Sequence, residues 1–399
     1  MIFTDFAPNE SWNDAWVAIK MLLQPWQWKK GKNVVLAKKK LKMYFPSEDI
    51  FFFLTGRSAL FQFFRSLALP KQTEILVQAF TCEAVVLPIL ANKLKPVYVD
   101  IESKSYSMAY EDLKRKFTKN AKVLILQHTF GLIPADREKI LEFAKEHHLF
   151  VVEDLAHGFK HQSISKQISS NAVYLLSFGR SKALSSVFGG CLITTNSILA
   201  QKLKLIEKNL IYPTNSFIAT CLLYKPLSMI IKSTYPFLGK IIHRLVKIAK
   251  LLPPEITGKE KRGEFDHLLN KKLPNALAYL LLHQLKKIDQ IWKKRKVTTE
   301  FYEMYFQQKT NAPSLIRFPI LVNDPLRLIK KARRKKIFLG RWYEQPVAPK
   351  ELDLDRVGYR LGSCPHAEEV CRQIVNLPTT IAKEEAVKLV KTLNDIGFN

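Results

Sequence analysis

The stretch VYLLSFGRSKALSSVFGGCLITT, residues 173–195, joins two apolar runs through a turn of small and polar residues. The runs, residues 173–178 and 191–195, are nearly continuous in apolar side chains, which is typical of strands buried on both faces. Four similar runs precede them, at residues 75–77, 96–100, 123–126 and 150–154. Helix-like patterns such as residues 136–149 separate several of these runs. This alternation predicts an α/β fold with a largely parallel sheet.

Polar side chains close three of the apolar runs, namely His128, Asp154 and Ser177. In open α/β sheets, ligands bind beside the carboxyl ends of the strands. We therefore expect these three side chains to lie close to the functional site.

The composition excludes several classes of protein. The 399 residues are 47% hydrophobic, which is enough for buried cores and too much for a disordered chain. The net charge of +28 favours anionic surroundings, whether a phosphorylated ligand, an anionic membrane face or nucleic acid. Five scattered cysteines argue against a disulfide framework and suit a reducing compartment. No signal peptide or membrane-spanning run is evident, so we expect a cytoplasmic protein.

The turn after residue 177 carries Lys182 and is followed by the glycine pair Gly189 and Gly190. A lysine held in such a turn can be partly desolvated, which frees its amine as a nucleophile for Schiff-base chemistry. Taken alone, however, a lysine in this chain is more often a solvated surface residue.

Two further features would suit a phosphorylated, nitrogen-containing cofactor. Asp154 closes a buried strand, where a protonated pyridine nitrogen, as in pyridoxal phosphate (PLP), would be a fitting partner. Capping of the next helix is the more common alternative for such a residue. Gly56, Arg57 and Ser58 lie between an apolar run and a helical pattern, where backbone amides can cradle a phosphate. Neither a GxGxxG nor a GxxxxGK[ST] motif occurs.

Taken together, these motifs resemble those of the DegT/DnrJ/EryC1/StrS family of PLP-dependent sugar aminotransferases. The resemblance rests on the order and spacing of six segments, at residues 56–60, 78–84, 96–101, 128–131, 153–157 and 177–190. It extends from about residue 51 to residue 210 and resumes near Asn270. The family implies a fold type I PLP-dependent transferase, with a mixed, mostly parallel sheet in a large domain and a smaller C-terminal α/β domain.

The resemblance and the composition together suggest three regions. We expect an N-terminal arm over residues 1–50, a large PLP-binding domain over residues 51–270, and a long linking helix with the small domain over residues 271–399. The linking helix is expected at residues 273–296. A basic apolar insertion is expected at about residues 209–260. Its composition is typical either of a helix lying on an anionic membrane or of a buried lid or dimer contact.

The resemblance also implies roles for individual residues. Lys182 matches the catalytic lysine that binds PLP covalently, and Asp154 matches the carboxylate that pairs with the pyridine nitrogen. His157 matches a position near the phenolic oxygen of PLP. The other implied cofactor-binding residues are Gly56, Arg57, Ser58, Thr81, Ser177 and, from the neighbouring subunit, Asn270. Cys82 stands where the family usually has an aromatic residue that stacks on PLP, and Phe80 is a candidate substitute.

The function implied by the resemblance is amino transfer in two half-reactions, within sugar or polysaccharide biosynthesis. An amino-acid donor such as glutamate gives its amine to PLP, and the amine then passes to a nucleotide- or lipid-linked keto-sugar. Lys182 serves as general base and general acid. A homodimer with shared active sites is implied, and peripheral contact with an anionic membrane at its inner face suits the basic charge. The alternative is a catalytically silent relative that acts as a basic membrane-surface or regulatory binding protein.

Neither a metal ion nor nucleic acid is expected as a partner. Cys364, His366 and Cys371 supply only three donors, and their spacing is unlike that of a closed tetrahedral zinc site. The basic run at residues 330–336 is typical of a solvated helix face, and no nucleic-acid-binding motif accompanies it.

Overall fold

The structure is a computed structural model and describes residues 1–46, 48–159, 171–235 and 237–398. Within these ranges the strands are β1 (Ile2–Phe3), β2 (Asp49–Phe53), β3 (Glu74–Gln78), β4 (Thr81–Cys82), β5 (Lys95–Val99), β6 (Ala121–Gln127), β7 (Phe150–Asp154), β8 (Ala172–Ser177), β9 (Gly190–Thr194), β10 (Arg317–Leu321), β11 (Ile337–Phe338), β12 (Val347–Ala348) and β13 (Ile374–Pro378). The apolar runs found in the sequence coincide with β3, β5, β6, β7, β8 and β9.

Seven strands form the central sheet, in the spatial order β2-β9-β8-β7-β6-β3-β5. Strands β5, β3, β6, β7 and β8 are parallel to their neighbours in this series, whereas β9 is antiparallel to both β8 and β2. The Val, Ile and Leu side chains of these strands are buried in one continuous hydrophobic core. The predicted mixed, mostly parallel sheet is therefore confirmed.

Helices connect and cover the sheet. They are α1 (Trp12–Leu22), α2 (Asn33–Leu41), α3 (Gly56–Leu67), α4 (Glu83–Ala91), α5 (Tyr110–Lys116), α6 (Arg137–Glu146), α7 (Ser197–Asn209), α8 (Asn215–Thr234), α9 (Gly239–Ile248), α10 (Gly258–Lys261), α11 (Asn275–Lys286), α12 (Ile288–Phe306), α13 (Pro325–Arg334), α14 (Pro365–Gln373) and α15 (Lys383–Asp395). In the part of the chain that the structure describes, no helix combines the length and the apolar character needed to cross a bilayer.

The N-terminal region packs on the rest of the protein. Strand β1 pairs in parallel with β11, α1 packs against α8 and α11, and α2 packs against α11. A capping box begins α1, because the Ser11 side chain accepts the Asp14 N–H while Asp14 accepts the Ser11 N–H. The division into arm, large domain and small domain stays a prediction.

The linking helix differs from the sequence prediction. Residues 273–296 were expected to form one helix, but α11 ends at Lys286 and α12 begins at Ile288. The junction residue Lys287 leaves the helical conformation, with φ −107° and ψ 15°. Its ammonium group contacts both carboxylate oxygens of Asp14 in α1, at 2.6 and 2.7 Å. The apolar spacing of the sequence is continuous across this junction, so the pattern carried no sign of the break.

The C-terminal region adds the expected smaller α/β layer. Strands β10 and β13 form an antiparallel pair, accompanied by α13, α14 and α15. Strand β12 of this region pairs in parallel with β4, which directly follows β3 of the central sheet. This pairing brings the segment before β12 against the carboxyl end of the central sheet.

Candidate active site

A cleft lies at the carboxyl ends of β7 and β8, beside the first turn of α3. Its volume is about 640 Å³, including the part open to solvent. The residues predicted from the sequence that line it are Gly56, Arg57, Asp154, His157, Ser177 and Lys182. Ser58, Thr81 and Asn270 were also predicted, but they are not among its described lining residues. The structure thus brings the candidate nucleophile and the buried carboxylate into one cleft.

The turn that carries Lys182 is closed by backbone hydrogen bonds. Phe178 N–H donates to the Gly189 carbonyl at 2.8 Å, and Lys182 N–H donates to the Gly179 carbonyl at 3.1 Å. The Lys182 side chain is half-buried, and its Nζ lies 5.1 Å from the ring centroid of Trp342. These contacts hold the amine at the cleft in a partly desolvated position, as expected from the sequence.

A close approach of two backbones positions the first turn of α3. A Cβ atom at Gly190 would lie 2.4 Å from the backbone nitrogen of Gly56, so β9 can pass here only because Gly190 has no side chain. Thr55 caps α3 by accepting the Ser58 N–H at 3.0 Å. Gly56 lies beside Ser177, whose Oγ would be 3.3 Å from a Cβ at Gly56. The helix amides and this hydroxyl together suit a phosphate group.

Asp154 is the last residue of β7 and is 4% exposed. Its Oδ1 accepts the Ala156 N–H at 2.9 Å, and no ion pair to Asp154 is found among the described residues. Burial raises the pKa of its carboxyl, and the Ala156 N–H and the charge of Lys182 oppose that rise. A cationic ring nitrogen would stabilise the ionised carboxylate, so Asp154 fits the pyridine nitrogen of PLP.

Glu153 directly precedes Asp154 and points to the opposite face of the sheet. Nε and Nη2 of Arg137 bind its two carboxylate oxygens at 2.9 and 2.8 Å, and Nε2 of His128 lies 3.0 Å from Oε2. Burial alone would raise the pKa of Glu153, but His128 and Arg137 lower it to about 2. This ion-paired cluster fixes the end of β7. Because His128 contacts Glu153, it is not among the described lining residues of the cleft, although the sequence predicted it near the site.

The orientation of His157 defines which ring nitrogen can donate. Phe130 N–H donates to Nδ1 at 3.0 Å, so the proton of the neutral ring is on Nε2, which lies 3.4 Å from the Tyr343 hydroxyl. Burial and the positive charges of Lys182 and Arg317 lower the pKa of His157 well below its usual value. The neutral ring can therefore donate from Nε2 to an oxygen in the cleft, which fits the phenolic oxygen of PLP.

The sequence prediction missed two aromatic residues from the segment before β12. Trp342 stacks on His157 with a centroid distance of 5.3 Å and an interplanar angle of 26°. Tyr343 lines the cleft and contacts Phe80 edge-on at 5.3 Å. Phe80, the candidate stacking residue, is fully buried and does not line the cleft, whereas Cys82 does. Only the β4–β12 pairing shows that these residues, far along the chain from Lys182, reach this site.

Thr81 contributes from behind the cleft wall, and its neighbour Cys82 lines the cleft. The Thr81 hydroxyl donates to Oε1 of Gln127 at 2.7 Å, and Gln127 lines the cleft. Burial, reinforced by Glu83, raises the pKa of the Cys82 thiol to about 12, so this thiol stays protonated at neutral pH. Through its hydrogen bond, Thr81 orients the side-chain amide of Gln127.

The side chain of Arg57 is engaged by protein groups. Its guanidinium ion-pairs with Glu260, lies 3.6 Å from Glu83, and donates to the backbone carbonyl of Glu255 at 2.9 Å. Burial alone would lower the pKa of Arg57. The nearby carboxylates of Glu260 and Glu83 outweigh this effect and raise the pKa above its ordinary value. Arg57 thus ties α3 to the segment around α10, and the Glu255 side chain from that segment lines the cleft.

Asn270 and Ser58 take part in the contacts between α3 and residues 269–270. The Asn270 side-chain oxygen accepts a hydrogen bond from Nε2 of Gln62 at 2.8 Å. The Ser58 hydroxyl donates to the carbonyl of Leu269 at 2.6 Å, and this bond fixes the Asn270 segment to the helix. The implied contact of Asn270 with the site of a neighbouring subunit stays a prediction.

Comparison with known proteins assigns the family. The family model described as the DegT/DnrJ/EryC1/StrS aminotransferase family matches residues 13–221 and 248–394. The chain belongs to this family. The residues between the two matched parts, 222–247, contain the second half of α8 and nearly all of α9.

Curated relatives of this family member align over very different lengths. An uncharacterized protein of Methanocaldococcus jannaschii is 24% identical over 330 residues, covering 78% of this chain and 76% of the relative. GDP-perosamine synthase of Escherichia coli O157:H7 is 29% identical over 36% of this chain and 40% of the synthase. UDP-N-acetyl-3-dehydro-α-D-glucosamine 3-aminotransferase of Acidithiobacillus ferrooxidans is 32% identical over 38% of this chain and 41% of the relative.

Solved structures agree with the fold over nearly the whole chain. PseC of Helicobacter pylori, an aminotransferase involved in the biosynthesis of pseudoaminic acid, has a TM-score of 0.72 at 17% identity, covering 98% of this chain and 99% of PseC. NtdA of Bacillus subtilis, solved with bound cofactor PMP, has a TM-score of 0.70 at 18% identity, covering 96% of this chain and 81% of NtdA. The predicted fold class is thereby confirmed.

Proposed function

We propose that this family member is a PLP-dependent aminotransferase that moves an amino group from an amino acid, such as glutamate, to a keto-sugar linked to a nucleotide or a lipid. The observation that carries the proposal is one cleft that unites Lys182, the first turn of α3 and the buried carboxylate of Asp154, which has no ion pair among the described residues. The sugar acceptor is supported by the names of two relatives, which contain GDP- and UDP-linked sugars.

The residues of the cleft would divide the chemistry among them. When bound, PLP supplies an electron sink for the carbanion that forms beside the transferred nitrogen. Lys182 would hold the cofactor and then accept and return one proton at Nζ. Asp154 would keep the ring nitrogen protonated, because a buried carboxylate stabilises a cation next to it. His157 would donate from Nε2 to the phenolic oxygen.

The remaining predicted residues would bind phosphate or hold the residues that do. Gly56 and Ser177 present a backbone amide and a hydroxyl to the cleft. Arg57, Ser58 and Thr81 act by fixing the walls of the cleft through the contacts described above.

We propose a homodimer in the cytoplasm as the working form. Asn270 would complete the phosphate site of the partner subunit, and its position outside the cleft of its own chain is compatible with that role. All five cysteines are free thiols, which supports a reducing compartment.

We also propose that α9 rests on the surface of an anionic membrane. Ile241, Leu245 and Ile248 are 58%, 59% and 69% exposed, and their spacing places them on one face of the helix. The neighbouring face is basic, with Lys240, Arg244 and Lys247. The sequence contains no acidic residue from 208 to 254, and most of α9 lies outside the family match. An apolar stripe flanked only by cations fits an anionic lipid surface.

The donor half-reaction tests the proposed chemistry. Purified protein is mixed with PLP and L-glutamate, and the 2-oxoglutarate released is measured without a sugar acceptor. We expect about one equivalent per site from the wild type and at least ~100-fold slower release from Lys182→Ala. Lys204→Ala, at an exposed position of α7, is the matched control and should behave as the wild type. If the protein binds PLP but releases no keto acid from glutamate or from any other amino acid, the result would favour the catalytically silent alternative.

A further inference from the structure

A second pocket lies between β1, β11, the end of α8 and α9, and it shares no described lining residue with the Lys182 cleft. Its volume is about 500 Å³, including the part open to solvent, which is within the range of small-molecule sites. Most of its lining is aliphatic or aromatic: Phe3, Phe6, Ile231, Tyr235, Phe338 and Leu339. Asp5 and His243 complete the described lining. The pocket therefore suits an apolar ligand.

The walls of this pocket are held by contacts within the protein. The ring of Phe3 stacks on Phe338 with a centroid distance of 4.8 Å, and Tyr235 meets both rings edge-on at 5.2 and 5.3 Å. A Cβ atom at Gly239 would lie 2.4 Å from the carbonyl oxygen of Ile231, so α9 can begin this close to α8 only because Gly239 has no side chain. Binding would therefore not have to order the walls, which favours affinity.

The pocket is built mainly from segments that the family model does not match. Six of the eight described lining residues lie within residues 1–12 or 222–247, whereas the match covers residues 13–221 and 248–394. The machinery shared by the family therefore does not account for this pocket. A pocket assembled from these two segments indicates a ligand that is particular to this chain.

A short series of contacts joins the pocket to the cleft. Asp5, the one acidic side chain among the described lining residues, forms an ion pair with Arg317. Cζ of Arg317 lies 3.3 Å from the ring centroid of Trp342, and Nζ of Lys182 lies 5.1 Å from the same centroid. Two side chains thus separate the pocket from the catalytic amine. A molecule with one part in the pocket is close enough to present another part to Lys182.

The surroundings of the pocket are cationic, whereas its lining is largely uncharged. Nζ of Lys240 lies 5.8 Å from the ring centroid of Tyr235, and the sequence contains no acidic residue from 208 to 254. Burial and the charge of Lys247 lower the pKa of His243, so its ring is neutral at pH 7. An apolar lining with cations around it fits a hydrocarbon chain that carries a phosphate.

We propose that this pocket binds the hydrocarbon chain of the acceptor, a keto-sugar linked to a lipid through phosphate. This inference rests on the proposed function and selects the lipid-linked acceptor over the nucleotide-linked one. A nucleotide fits less well, because the polar edge of a base needs hydrogen-bond partners and five of the eight described lining side chains are pure hydrocarbon. The contacts that lead to Lys182 favour the chain of a substrate over an ordinary membrane lipid.

Farnesyl phosphate is a suitable probe, because it has one hydrocarbon chain and a phosphate but no sugar, so it binds without reacting. Titration calorimetry with the PLP-loaded full chain measures its affinity below the concentration at which it forms micelles. We expect His243→Trp, which fills the pocket with a larger ring, to weaken farnesyl phosphate at least ~10-fold. His366→Trp, at an exposed position of α14, is the matched control and should bind it like the wild type.

Thermal unfolding separates binding from folding. Farnesyl phosphate should raise the melting temperature of the wild type and of His366→Trp, and should leave that of His243→Trp unchanged. If His243→Trp does not fold, Phe6→Ala removes part of the wall instead and should also weaken the probe.

Inorganic phosphate and dihexanoylphosphatidylserine are titrated in parallel to separate the sources of affinity. Inorganic phosphate that binds as tightly as farnesyl phosphate would show that the chain contributes nothing, and would overturn the inference. Dihexanoylphosphatidylserine that binds as tightly, and is weakened by the same variants, would assign the pocket to ordinary membrane lipid. Farnesyl phosphate affinity that is unchanged in both pocket variants would also overturn it.

Failure of this inference can be distinguished from failure of the proposed function. A wild-type protein that releases 2-oxoglutarate from glutamate but does not bind farnesyl phosphate overturns only the lipid assignment. A wild-type protein that does not react with PLP contradicts the proposed function, whatever the farnesyl phosphate titration gives.

Discussion

Neighbouring carboxylates at the end of β7 have opposite surroundings. Both carboxylate oxygens of Glu153 bind Arg137, and one of them also contacts His128. Asp154, in contrast, has no ion-pair partner among the described residues. Because side chains alternate along a strand, one residue can anchor the strand while the next faces the cleft. The sequence motif contains both carboxylates, and only their contacts distinguish the structural one from the one available to a ligand.

Glu83, at the start of α4, gives a prediction at the scale of a single residue. Burial raises the pKa of its carboxyl to about 7 from an ordinary 4.5, although Arg57 acts in the opposite direction. The folded protein therefore binds this proton more tightly than the unfolded chain, so stability is lost as the pH rises from about 4.5 to about 7. We expect Glu83→Gln to match the wild type near ~pH 4 and to be more stable at ~pH 8 by about 3 kcal/mol.

Urea unfolding at several pH values measures this difference. Glu111→Gln, on the exposed side of α5, is the control and should track the wild type throughout. A free-energy gap between Glu83→Gln and the wild type that stays constant with pH would mean that Glu83 does not titrate in this range.

The sequence could predict the residues of the cleft that belong to ordered motifs, such as Lys182, Asp154 and His157. It could not predict Trp342 or Tyr343, because both lie far from Lys182 and Asp154 along the chain. They reach the cleft because β12 pairs with β4. Local patterns carry no information about such distant pairings.

At the scale of elements, the strands were easier to predict than the helix boundaries. A buried strand needs a run of apolar residues on both faces, and β6 and β7 show this directly in the sequence. The break between α11 and α12 depends instead on Lys287 contacting Asp14, more than 270 residues away along the chain. Helical periodicity cannot reveal a contact of that kind.

Helix α9 gives the prediction at this scale. Replacing Ile241, Leu245 and Ile248 together by Ser removes the exposed apolar stripe and leaves the basic residues in place. We expect the triple variant to bind vesicles of phosphatidylcholine and phosphatidylserine at least ~10-fold more weakly in flotation, because the apolar face supplies the insertion energy. High salt should weaken the wild type as well, because the cations contribute through the anionic surface.

The matched control for this experiment carries Leu326→Ser and Val387→Ser, at exposed apolar positions of α13 and α15. It should float like the wild type. Unchanged flotation of the α9 variant would remove the membrane proposal, and a change in oligomeric state would instead place α9 between two copies of the chain.

At the scale of the whole molecule, the proposed dimer can be tested by mixing two defective variants. Lys182→Ala lacks the catalytic lysine, and Asn270→Ala lacks the residue proposed to serve the partner. If sites are shared, a mixed dimer contains one site with both residues intact. We expect the refolded mixture to release 2-oxoglutarate clearly faster than the mean of the two separate variants. An activity equal to that mean would show that each chain carries a complete site of its own.

The central claim is that Lys182, alone among the many lysines of a chain with net charge +28, binds PLP. Borohydride reduction of the PLP-loaded protein makes the bond to the cofactor permanent, and peptide mapping by mass spectrometry then locates it. The account predicts one labelled residue, Lys182, with no stoichiometric label in Lys182→Ala. Labelling spread over surface lysines, or retained in that variant, would contradict it.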